Sequence, residues 1–315
     1  MSKKLAIVLF SLLMVFSLSG CSGSGNKPTE AAAKIRVAAT IFPVADIISN
    51  IGGDKVEVTT LLPAGSSPHT FEATPEQLKQ ISNTRLFVKV GANLDTFADK
   101  LAKAGKSDMM TLTLADKVAL MAENPLEDTG VKAASGQDTP SHNHNDMNPH
   151  FWLNPVLVKN CLAPEIADAL ATLSPENKAY FQANLTEYCK KINQLDQEIA
   201  QKTSGLKNRS FIAFHSSWSY FSDRYNLEDI PVEEFPGKEP SAKWIAGIID
   251  LAKSKKAKAV LIEPQFSPKA AQVLASEIGV PVITVDPLGA ENIPGFNSYL
   301  DLMRSNTDNL VKALH

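Results

Sequence analysis

The sequence lacks an excess of basic residues, and it lacks the short motifs that mark common hydrolases. Its 31 lysines and arginines stand against 34 aspartates and glutamates, without a basic stripe, which argues against a nucleic-acid partner. It contains no His-Glu-x-x-His sequence, no phosphate-binding loop and no Gly-x-Ser-x-Gly elbow. These absences predict a chain that is not an enzyme, with a zinc hydrolase as a remote alternative.

Long apolar runs are also scarce, and the most prominent one lies at the N-terminus. Lys3 and Lys4 precede it, and "LSGC" at residues 18–21 follows it. This order predicts a secretory signal peptide over residues 1–20. The last four residues resemble a bacterial lipobox, in which Cys21 becomes the lipidated N-terminus. An uncut membrane anchor is the alternative, although the run is shorter than the ~20 residues that a span needs.

A lipidated Cys21 implies an extracytoplasmic protein that is anchored to a bacterial membrane, either in a periplasm or on the outer face of the plasma membrane. Removal of residues 1–20, which carry two lysines and no acid, brings the net charge to about −5. Residues 21–34 are small and polar, which predicts a flexible tether. About 280 residues remain, which is enough for two domains.

Apolar runs typical of strands alternate with helical patterns along most of the chain. Such alternation predicts an α/β fold with parallel sheets covered by helices on both faces. One helix start is marked by Thr74 as cap and Pro75 at the first helical position. The predicted strands are 34–41, 56–63, 85–91, 108–116, 209–214, 257–263 and 280–286.

Residues 174–206 interrupt this alternation. Apolar residues recur there at spacings of three and four, while Ser174 and Pro175 begin a helix and Gly205 ends it. About 30 helical residues span roughly 45 Å, long enough to join two lobes as a rigid linker. A long surface helix within one domain is the alternative. We therefore expect an N-terminal lobe over 35–173 with a mobile, His-containing loop at 122–148, a linker helix over 174–206 and a C-terminal lobe over 207–315.

Two further cysteines, Cys161 and Cys189, permit one disulfide in an oxidising compartment. They lie 13 and 15 residues from the turn near Ser174, at a similar height in an antiparallel helical hairpin. A kink at Pro164 would disturb this register. Two buried thiols are the alternative to a bridge.

Three of the six histidines and one aspartate occupy equivalent places in the pattern. His69 lies between a predicted strand and a helix, His215 and Asp286 directly follow predicted strands, and His150 precedes the next helix. Because ligands bind at the carboxyl ends of parallel strands, we expect these side chains to converge. Three imidazoles and a carboxylate form a four-coordinate set suited to Zn²⁺, whereas Mn²⁺ prefers more oxygen. Each histidine taken singly is equally consistent with a solvated loop residue or a helix cap.

His142 and His144 lie within the predicted loop. A short His tract binds metal loosely, so they form a possible auxiliary metal site, and a solvated loop is the alternative. His315 is the last residue, and we assign it no role.

Six motifs make the chain similar to the solute-binding proteins of ABC importers for zinc and manganese, over residues from about 35 to 315. The resemblance implies two α/β lobes joined by one long helix, with a metal bound in the cleft between them. It also implies His69, His150 and His215 as nitrogen ligands and Asp286 as the oxygen ligand. The motifs are "AGSSPHTFEATPEQL", "NPHFWLNP", "FIAFHSSWSYFSDRY", "EEFPGKEPSAKWI", "VLIEPQFSPKAAQVLA" and "PVITVDPLG".

The same resemblance bears on the metal. Members that favour manganese commonly have Glu where this chain has His215, which indicates the zinc-uptake branch. The motif that usually reads Asp-Pro-His here begins with Asn148, a weaker acceptor for a ligand histidine. Glu263 is expected either to orient a ligand or to bind the metal in place of Asp286. Trp152 and Trp218 are expected to line the cleft.

We therefore expect a monomeric receptor that captures Zn²⁺ outside the cytoplasm and delivers it to the permease of an ABC transporter. Each lobe would supply two ligands, so metal binding would bridge the lobes. A manganese or iron carrier on the same fold is the main alternative. An adhesin-like role in cell adhesion is a further one, although no residue supports it directly.

Overall fold

The computed structural model describes residues 33–122, 147–232, 241–266 and 268–315. The expected signal peptide, Cys21, His142 and His144 lie outside these ranges, as do most of the expected tether and loop. Lys34–His315 form one compact unit. Within the described ranges, no helix combines the length and the apolar character needed to cross a membrane.

Two four-stranded sheets, each entirely parallel, organise this unit and confirm the predicted fold class. The first has the strand order β2-β1-β3-β4 and the second the order β6-β5-β7-β8. Their strands are β1 Ile35–Ala39, β2 Val56–Thr60, β3 Leu86–Lys89, β4 Met110–Thr113, β5 Ser210–Ala213, β6 Glu228–Pro231, β7 Val260–Ile262 and β8 Val282–Thr284.

Seven of these strands coincide with predicted ones, and β6 does not. It is a four-residue strand at the edge of the second sheet, where it pairs with β5. Glu228 and Asp229 begin it and Pro231 ends it. Acidic residues and proline are tolerated at a sheet edge but contradict the apolar pattern of a buried strand. The apolar pattern was therefore a poor guide to this strand.

Helices cover the sheets, and their caps follow local sequence. The backbone N–H of Thr74 donates to Oε1 of Gln77 at 2.9 Å, which is half of a capping box. Ser241 Oγ accepts from the backbone N–H of Trp244 at 3.2 Å. The helices are α1 Phe42–Gly52, α2 Pro75–Ile81, α3 Phe97–Ala104, α4 Pro155–Leu157, α5 Ala163–Leu173, α6 Lys178–Ser204, α7 Ser219–Tyr225, α8 Ala242–Ser254, α9 Pro268–Ile278 and α10 Tyr299–Leu314.

The predicted linker helix is α6, which follows the short 3-10 turn Pro175–Asn177. Its 27 residues span about 40 Å. Asn184 donates to the carbonyl of Ile51 in α1 at 3.0 Å, on the side of the first sheet. Asp196 accepts two bonds from Arg224 in α7, on the side of the second sheet. The helix therefore contacts elements that belong to both sheets.

The C-terminal helix α10 returns from the second sheet to the first. The backbone N–H of Tyr299 donates to Asp46 of α1 at 3.0 Å, and the Tyr299 hydroxyl donates to the carbonyl of Trp152 at 2.9 Å. Helix α10 also packs along α6. The two lobes are thus connected by more than the linker helix.

The two cysteines of the helical hairpin are free, partly buried thiols in this structure, so the possible Cys161–Cys189 bridge is not formed. Cys161 lies in a π turn, Val158–Leu162, between α4 and α5. Cys189 donates to the carbonyl of Lys159 at 3.8 Å. A π turn shifts the register of the side chains. Cys161 and Cys189 would lie at a similar height only if both helices were regular α-helices.

Candidate metal centre

Three histidines from separate parts of the chain meet between the two sheets. His69 lies in the loop between β2 and α2, His150 precedes the 3-10 turn Phe151–Leu153, and His215 lies two residues after β5. One ring nitrogen from each lies within 4.8 Å of the others. The ring centroids are separated by 5.5 Å (His69 to His150), 5.1 Å (His69 to His215) and 4.7 Å (His150 to His215). The predicted convergence of these three rings is therefore present.

Burial keeps the rings of His69 and His150 neutral. His150 and His215 are buried, and Nε2 of the partly buried His69 is itself inaccessible. Burial, assisted by the nearby His215, lowers the pKa of His69 to about 3. Burial, followed by the charges of His215 and His69, also holds the pKa of His150 well below its ordinary value. A neutral imidazole carries the lone pair that a metal ion requires.

Glu263 directly follows β7 and is directed at His215. Its Oε2 lies 3.2 Å from Nδ1 of His215, and Gln265 donates to the same oxygen at 2.8 Å. Ser217 and Trp218 donate to Oε1. Both carboxylate oxygens are thus engaged, and Nε2 is the nitrogen of His215 suited to coordination. This arrangement fits the orienting role expected of Glu263 better than the role of a ligand.

Asn148 contacts Nδ1 of His150, as Glu263 contacts Nδ1 of His215. Its Oδ1 lies 2.9 Å from both the backbone nitrogen and Nδ1 of His150. Its Nδ2 donates to the carbonyl of Ser216 at 2.9 Å, beside the second sheet. An amide therefore orients the His150 ring and also reaches the neighbour of His215.

Asp286 lies two residues after β8 and is buried. Its Oδ1 accepts from the backbone N–H groups of Leu288 and Gly289, both at 2.9 Å. Burial raises its pKa, and the charge of Glu263 adds to this effect, while the two backbone hydrogen bonds oppose it. Within the described ranges, the cluster of close ligand atoms consists of the three histidines, and Asp286 is not part of it.

Aromatic residues surround the cluster. The Trp152 ring lies 5.2 Å from that of His150, and Phe266 lies 5.4 Å from that of His215. The indole of Trp152 donates to the carbonyl of Pro287 at 2.9 Å, and this hydrogen bond links Trp152 to the segment that follows the second sheet. Sequence reasoning did not single out Tyr220, whose hydroxyl also joins the lobes. No spacing in the sequence signals such a contact, because its partners lie far from it along the chain.

Comparison with known proteins agrees with this architecture. The model of the family described as "Zinc-uptake complex component A periplasmic" matches residues 37–313. The high-affinity zinc uptake system protein ZnuA of Bacillus subtilis is 28% identical over 314 residues, covering 95% of this chain and 97% of the relative.

The zinc-binding lipoprotein AdcA of Streptococcus pneumoniae is 27% identical over 317 residues. The chain spans only 60% of the length of that relative. A crystal structure of ZnuA superimposes with a TM-score of 0.77 at 32% identity, covering 90% of this chain and 100% of that one.

Proposed function

The chain belongs to the family of periplasmic zinc-uptake complex A components, and on this premise we propose that it is an extracytoplasmic receptor for Zn²⁺. It captures the ion between its two lobes and delivers it to the permease of an ABC-type importer. The family consists of solute-binding receptors, so the remote alternative of a zinc hydrolase has no support.

The convergence of three imidazoles carries this proposal. His69, His150 and His215 present nitrogen atoms within 4.8 Å of one another. Bonds of about 2.0–2.1 Å to one ion place three nitrogens about 3.3–3.6 Å apart, which lies inside this bound. Nitrogen-rich sites favour borderline ions such as Zn²⁺, whereas Mn²⁺ prefers carboxylate and water oxygens. The donor set therefore supports zinc over manganese or iron.

Asp286 remains our proposal for the fourth ligand. It follows the last strand of the second sheet, as His215 follows the first strand of that sheet. Its Oδ1 is held by two backbone N–H groups, which fixes the carboxylate while Oδ2 is available for coordination. A divalent cation would also offset the unfavourable burial of its charge. Metal binding would draw the Asp286 carboxylate to the three histidines.

We also propose that the chain is lipidated at Cys21 and acts as a monomer. The lipobox-like residues 18–21 and the name of the pneumococcal relative support the lipid anchor. His142 and His144 are proposed to be at most an auxiliary metal site. The shared family supports a permease as partner, whereas nothing supports a role in adhesion.

A competition titration of the metal-stripped protein with Zn²⁺ and Mn²⁺ tests this proposal. We expect one tight zinc site and much weaker binding of manganese. Manganese binding that is as tight as zinc binding would overturn the assignment of zinc and favour the manganese carrier. The absence of a tight site for either ion would overturn the receptor proposal itself.

A further inference from the structure

Asn148 is fully buried at the junction of the two lobes and uses every polar group it has. Its backbone N–H donates to the carbonyl of Met121 at 2.8 Å. Its own carbonyl accepts from the hydroxyl of Tyr220, in α7, at 2.9 Å. The side chain contacts His150 through Oδ1 and Ser216 through Nδ2, as described above. A single residue therefore connects one histidine of the cluster to the backbone next to another.

The hydrogen-bond partners fix the orientation of this amide. The backbone nitrogen of His150 can only donate, so the atom facing it must be the amide oxygen. The backbone carbonyl of Ser216 can only accept, so the atom facing it must be the amide nitrogen. A carboxylate of the same shape would place an oxygen 2.9 Å from the oxygen of Ser216. With the Ser216 carbonyl placed as it is in this structure, an aspartate here would turn an attractive contact between the lobes into a repulsive one.

Tyr220 extends the same connection. Its hydroxyl accepts from the backbone N–H of Met121 at 2.8 Å while it donates to the carbonyl of Asn148. The tyrosine approaches from α7, on the side of the second sheet, and holds two backbone segments on the side of the first. Asn148 is thus bound to the second lobe on two sides, through Ser216 and through Tyr220.

We propose that Asn148 and Tyr220 are positioning residues that hold the two lobes, and with them His150 and His215, in the arrangement that binds metal. The inference rests on the proposed function and deepens it. An aspartate would be the stronger acceptor for His150, which favours metal binding. The amide is a weaker acceptor for His150, but its bond to Ser216 preorganises the site before the ion arrives. Preorganisation reduces the free-energy cost of ordering the site when the metal binds.

Alignment of the lobes and acceptor strength toward His150 predict opposite changes in zinc affinity for Asn148→Asp, so this variant distinguishes them. If alignment of the lobes dominates, Asn148→Asp weakens zinc binding by about 10- to 100-fold, the range typical of residues that orient metal ligands. If acceptor strength dominates, the same variant binds zinc more tightly. Tyr220→Phe keeps the ring and removes only the hydroxyl, and we expect it to weaken zinc binding by about 3- to 10-fold.

Asn184→Asp is the matched control. Asn184 also donates its amide to a backbone carbonyl, that of Ile51, but it does so between α6 and α1. The control should lower the melting temperature of the metal-free protein and leave the zinc dissociation constant within twofold of wild type. The visible spectrum of bound Co²⁺ should change in Asn148→Asp and not in the control, since it reports the geometry around the ion.

The experiment measures zinc affinity by chelator competition, together with the Co²⁺ spectrum, for wild type and the three variants. Wild-type zinc affinity in Asn148→Asp, or tighter binding, overturns the inference even if that variant melts earlier. If Asn148→Asp fails to fold, Tyr220→Phe decides, and an unchanged affinity in that variant overturns the inference. Failure of the wild-type protein to bind zinc would instead overturn the proposed function, so the two failures are distinguishable.

Discussion

Nδ1 of His215 lies 3.2 Å from Oε2 of Glu263, and both residues are buried at the ends of neighbouring strands, β5 and β7. A parallel sheet brings these strand ends together although 48 residues separate the two side chains along the chain. The contact fixes the orientation of the His215 ring toward the other two histidines. We therefore propose that Glu263 acts on the metal site through His215.

Loss of a cluster histidine should remove most of the affinity for zinc. We expect His215→Ala to weaken zinc binding at least 100-fold, because two nitrogen donors cannot replace three in a tetrahedral site. The double variant His142→Ala with His144→Ala should weaken binding less than about threefold, since a short tract lacks ligands in fixed geometry. Isothermal titration with zinc compares them, and His315→Ala serves as control. Equal losses in the single and double variants would refute this assignment.

Loss of Asp286 should change the coordination number of the bound ion, whereas loss of the Glu263 carboxylate should not. Asp286→Ala should weaken zinc binding about 100-fold and alter the coordination number reported by the Co²⁺ spectrum, because a ligand is removed. Glu263→Gln should weaken binding by about tenfold with the coordination number unchanged, because only the orientation of His215 is disturbed. A changed coordination number in Glu263→Gln, together with a silent Asp286→Ala, would make Glu263 the ligand.

Acid should destabilise the metal-free protein below the pKa of an unfolded histidine. The folded protein keeps His69 neutral, since burial lowers its pKa to about 3, whereas the unfolded chain binds a proton near pH 6.5. This contribution to stability is present above pH 6.5 and is lost as the pH falls toward 3. Its slope is up to about 1.4 kcal/mol per pH unit.

Urea unfolding of the metal-free protein between pH 7 and 5 measures this slope. His69→Gln should reduce it, because glutamine does not titrate. A slope in His69→Gln that equals that of wild type would show that His69 is protonated in the folded protein as readily as in the unfolded chain.

The contact between α6 and α7 should contribute to stability rather than to zinc affinity. Asp196 accepts from Arg224 at 2.9 and 2.6 Å and from the Tyr225 hydroxyl at 3.0 Å, in a mostly buried setting. Asp196→Ala should lower the free energy of unfolding by about 1–3 kcal/mol, because Arg224 is partly exposed and loses less than a fully buried partner would.

Glu198, two residues along the same helix, provides the control for Asp196. It forms an exposed ion pair with Arg304, and Glu198→Ala should cost less than about 1 kcal/mol. Urea unfolding compares the two variants, and zinc titration should find both similar to wild type. A similar loss of stability in the two would contradict the importance of burial at Asp196.

Local sequence was sufficient for most of the fold because each element carries its own signal. Seven strands showed apolar runs, Thr74 showed a capping position, and the spacing within 174–206 showed a long helix. Strand β6 carried no such signal, since it has only two apolar residues, Ile230 and Pro231, and pairs with β5 at the sheet edge. No pattern in the sequence indicated the π turn at Val158–Leu162, in which Cys161 lies.

The sequence by itself determined the α/β class and predicted that His69 and His215 converge, because the alternation of elements places them at strand ends that ligands occupy. Only the tertiary structure decided what surrounds them. That Glu263 orients His215, and that Asn148 joins His150 to Ser216, depends on contacts between chain segments far apart in sequence. Such contacts leave no periodicity or spacing in the sequence, since they arise only when two sheets and the helices between them pack together.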